Sequence, residues 1–457
     1  MTDIATDTAE ASCTPEPDTD TTGAADGGSS AQVDMHEPEA IASSEDIWAP
    51  GGPVEDWTTD YDIRDQAYVD DPVPIWAEMR ERCPIAHSSR LGGSWNPTRF
   101  DDLREMAKMV PGLSSRQVLV MPAAPGTPEM SRYEQQIAAA PITADPPIHT
   151  WTRRMLLPTF APKAVLRYSG YTEDLCHTLI DGFIGLGRCD AAVEYAQQIP
   201  PRVIAHMIGV DPAMADRFVE WVNGLLGEGL SDPELRVACR DELLAFISAE
   251  VEARITDPRD DLLTELLYME VDHPDAEITP AVVIGITNLL IVAGIDTTWS
   301  SIGSALWHLG TNSEDRERLV NEPELLDTAV EEFLRYYAPV TMARVADSDI
   351  EIGDVCIQRG DKVLMNFPAA NHDPEHFERP DEFVIDRSRN RHIAFGSGIH
   401  RCVGSNLARL EMTTALKVWL ERIPVFEVSD PEAMKWVGGQ VRGPRLMPMS
   451  FPPGDSR

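Results

Sequence analysis

Phe395-Gly396-Ser397-Gly398-Ile399-His400-Arg401-Cys402-Val403-Gly404 puts one cysteine behind a loop that opens on an aromatic ring and is punctuated by glycines. Gly396 and Gly398 allow positive φ and a close backbone approach to a flat group, where a Cβ would collide. Ser405 to Met412 has the pattern of a helix. Cys402 is therefore expected near a helix N-terminus, whose free N–H groups and positive dipole end favour a thiolate. Phe395 is placed to cover the sulfur, and Gly404 to let the helix start pass under a flat ring. Each choice suits a cysteine that ligates haem iron. Taken alone, Cys402 also reads as a buried free thiol, the usual role of an unpaired cysteine.

Upstream, Ala293-Gly294-Ile295-Asp296-Thr297-Thr298 lies inside an apolar stretch that Thr279-Pro280 starts as N-cap and first helical residue. That helix is expected to run to about Leu309, with Gly310 as its stop. Glycine, aspartate and two threonines in mid-helix cost propensity, which predicts a functional kink. The alternative is a threonine back-bonded to a carbonyl beside a surface aspartate. In Ala329–Arg335, Glu332 and Arg335 stand three apart on one helix face, a pairing that contributes only a few tenths of a kcal/mol at a surface. Asp145-Pro146-Pro147-Ile148-His149-Thr150-Trp151-Thr152-Arg153 reads as a capped helix start, with His149 and Arg153 four apart on one face. By themselves these two form a solvated basic face.

The patterns FGxGxHxCxG, AGxDT and ExxR, with the DPPxHxxxR segment before them, resemble those of the cytochrome P450 family, over about Ile47 to Phe451. The resemblance implies a mainly α fold with a smaller β portion, and haem b held between a long central helix and the cysteine loop. Cys402 is then the iron ligand, with Phe395 and Gly396 shaping its loop. His149, Arg153, Arg344 and His400 neutralise the propionates through charge-assisted bonds, the histidines as imidazolium. Ala293 and Gly294 border the dioxygen groove, Thr297 steadies bound oxygen or water, and Asp296 relays protons. Glu332 and Arg335 form a structural pair, with Arg379 as third partner. Leu289, Val292, Ala293, Val340, Met342 and Val441 line the substrate space. All are apolar, so the expected substrate is a small hydrophobic molecule such as a terpenoid, steroid, alkyl aromatic or xenobiotic, to be hydroxylated or dealkylated.

A thiolate opposite dioxygen favours O–O cleavage, and the electrons for it have to reach the iron. The chain shows no Rossmann-like GxGxxG segment and no cysteine cluster for an iron–sulfur centre, so a separate ferredoxin or flavodoxin with an NAD(P)H-dependent reductase is expected. Arg153, Arg154, Arg387, Arg389, Arg391, Arg401 and Arg409 are expected on the face such an acidic partner meets. Two rival classes are a peroxide-driven peroxygenase and a haem sensor or carrier. The intact Asp296-Thr297 pair disfavours both.

A soluble, monomeric, cytoplasmic enzyme is expected. The net charge is −38, and residues 1–60 carry fifteen Asp or Glu and no Lys or Arg. Such a balance disfavours nucleic acid and anionic membranes as partners. Residues 1 to 45, nearly free of large apolar side chains, are expected to be a disordered acidic extension, with the haem domain at 46–457. The seven cysteines are scattered without a CxxC pair, as in a reducing cytosol. No signal peptide or membrane span is apparent. Helices are expected at Asp71–Arg82 and through Ala164–Tyr268, the latter broken at Gly185–Arg188, Asp211-Pro212, Ser231–Pro233 and Asp257-Pro258. Gln117–Pro141 reads as an irregular loop. Hairpins are expected at Leu91–Arg99 and between Ile350–Gln358 and Lys362–Phe367, with strands at Val425–Val428 and around Gly438–Phe451.

Overall fold

The fold is organised on one helix, Pro280–Thr311. In the computed structural model the described residues are 51–124, 127 and 129–457, so the expected acidic extension lies outside them. Thr279 caps this helix by accepting the Val282 N–H, and Pro280 supplies the preset φ of a first helical residue. At 1.5 Å per residue its 32 residues run about 48 Å, through most of a domain. It is the one helix among the described residues long and apolar enough to cross a membrane, but protein surrounds it, and a core helix must be apolar on every side. The helix is continuous through Ala293–Thr298.

Gly310 is not its stop: the helix ends at Thr311, and the Asn312 N–H closes it on the His308 carbonyl. Gly310 is small because a Cβ there would stand 3.1 Å from Met449 Cε and 3.2 Å from Val428 Cγ2. Helices Ser169–Phe183, Ile199–Ile208, Ala215–Leu226 and Pro233–Thr256 build the lobe on one side, broken where the glycines and Asp-Pro steps predict. Helix Val73–Arg82 also forms as expected. The stretch read as an irregular loop holds a short helix, Arg132–Ile137, fixed by a capping box between Ser131 and Glu134.

The β portion is a five-stranded sheet of β1 (Ile85–Ser88), β2 (Ser94–Pro97), β8 (Lys362–Met365), β5 (Met342–Ala346) and β3 (Leu113–Ser114), in that spatial order. Only β2 and β8 run parallel within it. The early hairpin is β1–β2, so Leu91 sits in its turn rather than at a strand start. Lys362–Met365 does not pair with the segment before it. That segment closes on itself as β6 (Ile350–Ile352) and β7 (Val355–Ile357), because Gly353 takes φ +56° between them. Three further strands form a small sheet, β4 (Arg188–Asp190), β12 (Pro448–Ser450) and β9 (Glu427–Val428). The hairpin of β10 (Lys435–Val437) and β11 (Gly443–Leu446) lies along the central helix.

Helix Ser405–Arg422 carries a pH-dependent liability in this core. Glu411 is buried, its Oε2 has no hydrogen-bond partner, and burial pushes its pKa up to about 8. The folded state thus keeps a proton that the unfolded chain releases near the ordinary value of 4.5. Stability is full below that value, falls as pH rises towards 8, and is level above it. Glu411→Gln is expected to remove this slope and to stabilise the protein near pH 9 by up to about 5 kcal/mol. Urea midpoints of both proteins between pH 5 and pH 9 test it, since parallel curves would contradict the account.

Candidate active site

The cysteine loop is held by its own backbone. The Gly396 N–H donates to the Ile393 carbonyl and the Cys402 N–H to the Phe395 carbonyl, both at 2.8 Å. Gly396 and Gly398 both take φ +72°, and a Cβ on Gly398 would lie 2.4 Å from the Ala107 carbonyl oxygen. Gly404 is the N-cap residue of helix Ser405–Arg422, and its N–H donates to the Cys402 sulfur. Burial pushes the Cys402 thiol up. The Gly404 N–H and the charges of Arg153, Arg401 and Arg409 oppose that shift and favour the thiolate. The cysteine has exposed surface although protein surrounds it, so it faces an internal cleft.

Beside this loop four basic side chains from distant segments meet. His149 and Arg153 come from helix Ile148–Phe160, Arg344 from β5, and His400 from the turn Gly398–His400. The His149 and His400 ring centroids lie 4.4 Å apart. His149 Nε2 is 3.1 Å from the Ile399 carbonyl, and His400 Nε2 is 2.9 Å from Ser115 Oγ. Burial pushes His149 down to about 4, with Arg153 adding to it, and His400 to about 2, with Arg344, His149 and Arg153 adding. With only the chain's own groups around them the rings are held neutral and act as polar hydrogen-bonding groups. Burial likewise lowers Arg344 to about 10. Asp145 does not cap the helix. Its carboxylate takes the Ser114 hydroxyl at 2.5 Å and the Ser115 N–H at 3.0 Å.

On the central helix, the Thr297 hydroxyl donates to the Ala293 carbonyl at 2.7 Å, the back-bonded form. Asp296 beside it is buried, not at the surface, and accepts Arg445 Nη2 at 2.6 Å and Ser300 Oγ at 3.2 Å. Burial raises its carboxyl above the ordinary value, while Arg445 and Ser300 pull it back. The missing Cβ of Gly294 faces Ile204 Cδ1 at 3.0 Å, so helix Ile199–Ile208 packs closely on it. Val340 and Val441 bridge each other as an isolated antiparallel pair. Val292, Ala293, Val340 and Met342 are half-buried, and Leu289 is fully buried.

The structural pair needs one correction. Glu332 and Arg335 are fully buried and joined by two 2.8 Å bonds, but their third partner is Arg387 rather than Arg379. Arg387 Nε donates to both Glu332 oxygens at 3.0 and 3.1 Å. Arg379 has φ +50°, which turns its side chain outward to Glu382. Arg335 also holds the carbonyls of Asn371, Pro380 and Glu382. The Asn371 side chain then accepts the Ile393 N–H, so the pair is tied to the cysteine loop.

Comparison with known proteins adds the decisive observation. The family profile "Cytochrome P450" matches residues 210–437. The chain is 32% identical over 392 residues to 6-deoxyerythronolide B hydroxylase of Saccharopolyspora erythraea, covering 83% of this chain and 95% of that one. It is 30% identical over 405 residues to vitamin D(3) 25-hydroxylase of Pseudonocardia autotrophica, covering 87% and 98%. The chain belongs to the cytochrome P450 family. The structure of the Bacillus subtilis bacillaene polyketide synthase cytochrome P450 PksS matches with a TM-score of 0.77 at 28% identity, covering 86% of this chain and 99% of that one. The protein is therefore a haem b monooxygenase that uses dioxygen and reductase-derived electrons, and its mainly α fold is that of the family.

The residues present fit haem b. A cysteine faces the cleft with the Gly404 N–H and three arginines offsetting the burial that pushes its thiol up, and two arginines and two imidazoles that could hold a pair of carboxylates meet beside it. Haem supplies oxygen activation when bound. In such chemistry Cys402 would hold the group as a thiolate, and Thr297 and Asp296 would offer it a hydroxyl and a carboxyl. Arg445 was not legible in the sequence: it stands 149 residues from Asp296, in a strand segment with no motif.

Proposed function

We propose that this cytochrome P450 hydroxylates a bulky, largely apolar small molecule, with electrons from a separate ferredoxin and its reductase, in the cytoplasm. The reading takes Val292, Val340, Met342 and Val441 as the substrate wall beside Ala293 and Thr297: all four are apolar, Val340 and Val441 bridge each other, and none offers a charged anchor. Such a wall favours shape and desolvation over polar recognition. Relatives named for 6-deoxyerythronolide B and vitamin D(3) support large apolar substrates.

Cys402 is read as the iron ligand, and His149, Arg153, Arg344 and His400 as the propionate set. Thr297 holds the oxygen-side hydrogen bond, and Asp296 delivers protons to it. The exposed Arg154, Arg389, Arg391 and Arg401 suit an acidic electron donor. Arg387 and Arg409 are committed to Glu332 and Glu331 instead.

A library containing vitamin D(3), macrolactone polyketides and polar controls, screened by haem spin-state shift and followed by turnover under labelled dioxygen, tests this. One labelled oxygen atom in an apolar product is expected. Binding confined to charged ligands would overturn the substrate class. Thr297→Ala is expected to lower product per NAD(P)H by roughly tenfold or more, with peroxide released instead. Unchanged coupling would remove Thr297 from the reaction.

A further inference from the structure

A glycine on each of two elements brings the C-terminal hairpin unusually close to the central helix. A Cβ on Gly443 of β11 would stand 2.5 Å from Ser300, and one on Gly303 of the helix 2.8 Å from Pro444 Cγ. At that approach Arg445 lies across the helix face, its guanidinium carbon 4.2 Å from the centre of the Trp299 ring. Its Nη2 donates to Asp296 Oδ1 at 2.6 Å and its Nη1 to Ser300 Oγ at 3.0 Å, while Ser300 Oγ itself donates to Asp296 Oδ1 at 3.2 Å. Asp296 has 4% of its side chain exposed and Arg445 14%, so what solvent contact the pair has is mainly on the Arg445 side.

No other charge bears on Asp296 among the described residues. On the packed helix Ile199–Ile208, Arg202 turns to Gln198 and Asp216, and His206 stacks on Tyr171. Thr297 donates to Ala293 and makes no bond to Asp296. The acid and the alcohol are thus neighbours in sequence but are held apart, the acid by a partner on another element.

We propose that Arg445, with Ser300, is a positioning residue that holds Asp296 as a carboxylate facing the β10–β11 hairpin and so sets the pH at which Asp296 delivers protons towards Thr297. A proton entering from the Arg445 side neutralises the carboxylate and loosens the charge pair. The neutral carboxyl hands that proton on towards the Thr297 hydroxyl, and the carboxylate returns to Arg445. One proton enters, one leaves, and no electron moves. The proposal rests on the reading of Asp296 as proton donor.

The test uses the haem-loaded protein with Arg445→Ala, Arg445→Lys, Asp296→Asn and the Arg445→Ala/Asp296→Asn pair. Infrared absorbance of protonated carboxyl, assigned to Asp296 by its loss in Asp296→Asn, is expected to be absent at pH 7 in the parent and in Arg445→Lys. It is expected to appear in Arg445→Ala. The unfolding constants are expected to show a coupling of roughly tenfold or more between the two sites. During NADPH-driven oxygen consumption without substrate, the peroxide-to-water ratio is expected to change its pH midpoint in Arg445→Ala only when Asp296 is present. A protonated Asp296 in the parent at pH 7, no infrared change in Arg445→Ala, or the same midpoint change in the Asp296→Asn background would overturn the proposal. If Asp296→Asn keeps the parent's ratio at every pH while the infrared and unfolding results stand, the reading of Asp296 as proton donor is what fails.

Discussion

Replacing Cys402 by alanine is expected to abolish monooxygenase turnover while leaving a folded chain. The sulfur bonds no side chain, only the Gly404 N–H, and the loop is closed by the Gly396 and Cys402 backbone bonds, which alanine keeps. The change removes one buried atom, so its stability cost stays within about 2 kcal/mol. The chemical effect is of another order. The basic surroundings of Arg153, Arg401 and Arg409 favour a thiolate, and alanine offers no electron pair in its place. Turnover with NADPH, a ferredoxin and its reductase checks this beside the urea midpoint. Retained turnover in a folded variant would show that another residue supplies the ligand.

Arg335→Ala is expected to cost about 3–5 kcal/mol, the range for breaking a buried ion pair from one side. Arg335 makes two bonds to Glu332 and three to carbonyls of the segment leading to the cysteine loop. Its loss leaves the Glu332 carboxylate buried, with Arg387, Asn390 and the Val384 N–H as its only partners. Against a total stability of about 5–15 kcal/mol that is a large fraction, so haem retention should fall with it. Arg335→Lys is expected to recover little, because an ammonium cannot make the forked pair and the three carbonyl bonds together. Chemical denaturation of the three proteins checks this, and a loss below about 1 kcal/mol for Arg335→Ala would contradict it.

These effects were legible in the sequence to different depths, for physical reasons. Cys402, the long helix and the Glu332–Arg335 spacing each belong to a local pattern: a glycine loop before a helix, a Thr-Pro start before an apolar run, two charges three apart. Local rules reach that far. The partners that close those patterns come from elsewhere in the chain, and the reading faltered there. Arg387 and Arg379 stand eight apart in one meander, and only the positive φ at Arg379 sends the wrong one outward. Asp145 has the position of a helix cap, but Ser114 and Ser115 compete for its carboxylate from a strand thirty residues earlier.

Gly310 and Gly294 teach the same lesson. Each reads as a break or an opening in the helix, and the structure adds that side chains from other elements, Met449 and Val428 at Gly310 and Ile204 at Gly294, pack closely on it. The charge state of the histidines was also beyond the sequence. His149 and His400 are basic by type, but burial beside Arg344 and Arg153 pushes both towards the neutral form.

The reduced, carbon-monoxide-bound absorption spectrum of the purified protein, taken beside Cys402→Ala, tests the assignment of Cys402 most directly. A strongly red-shifted Soret band in the parent, absent from the variant, is the predicted result. A band of the histidine-ligated kind in the parent, or the same red-shifted band in both proteins, would contradict it.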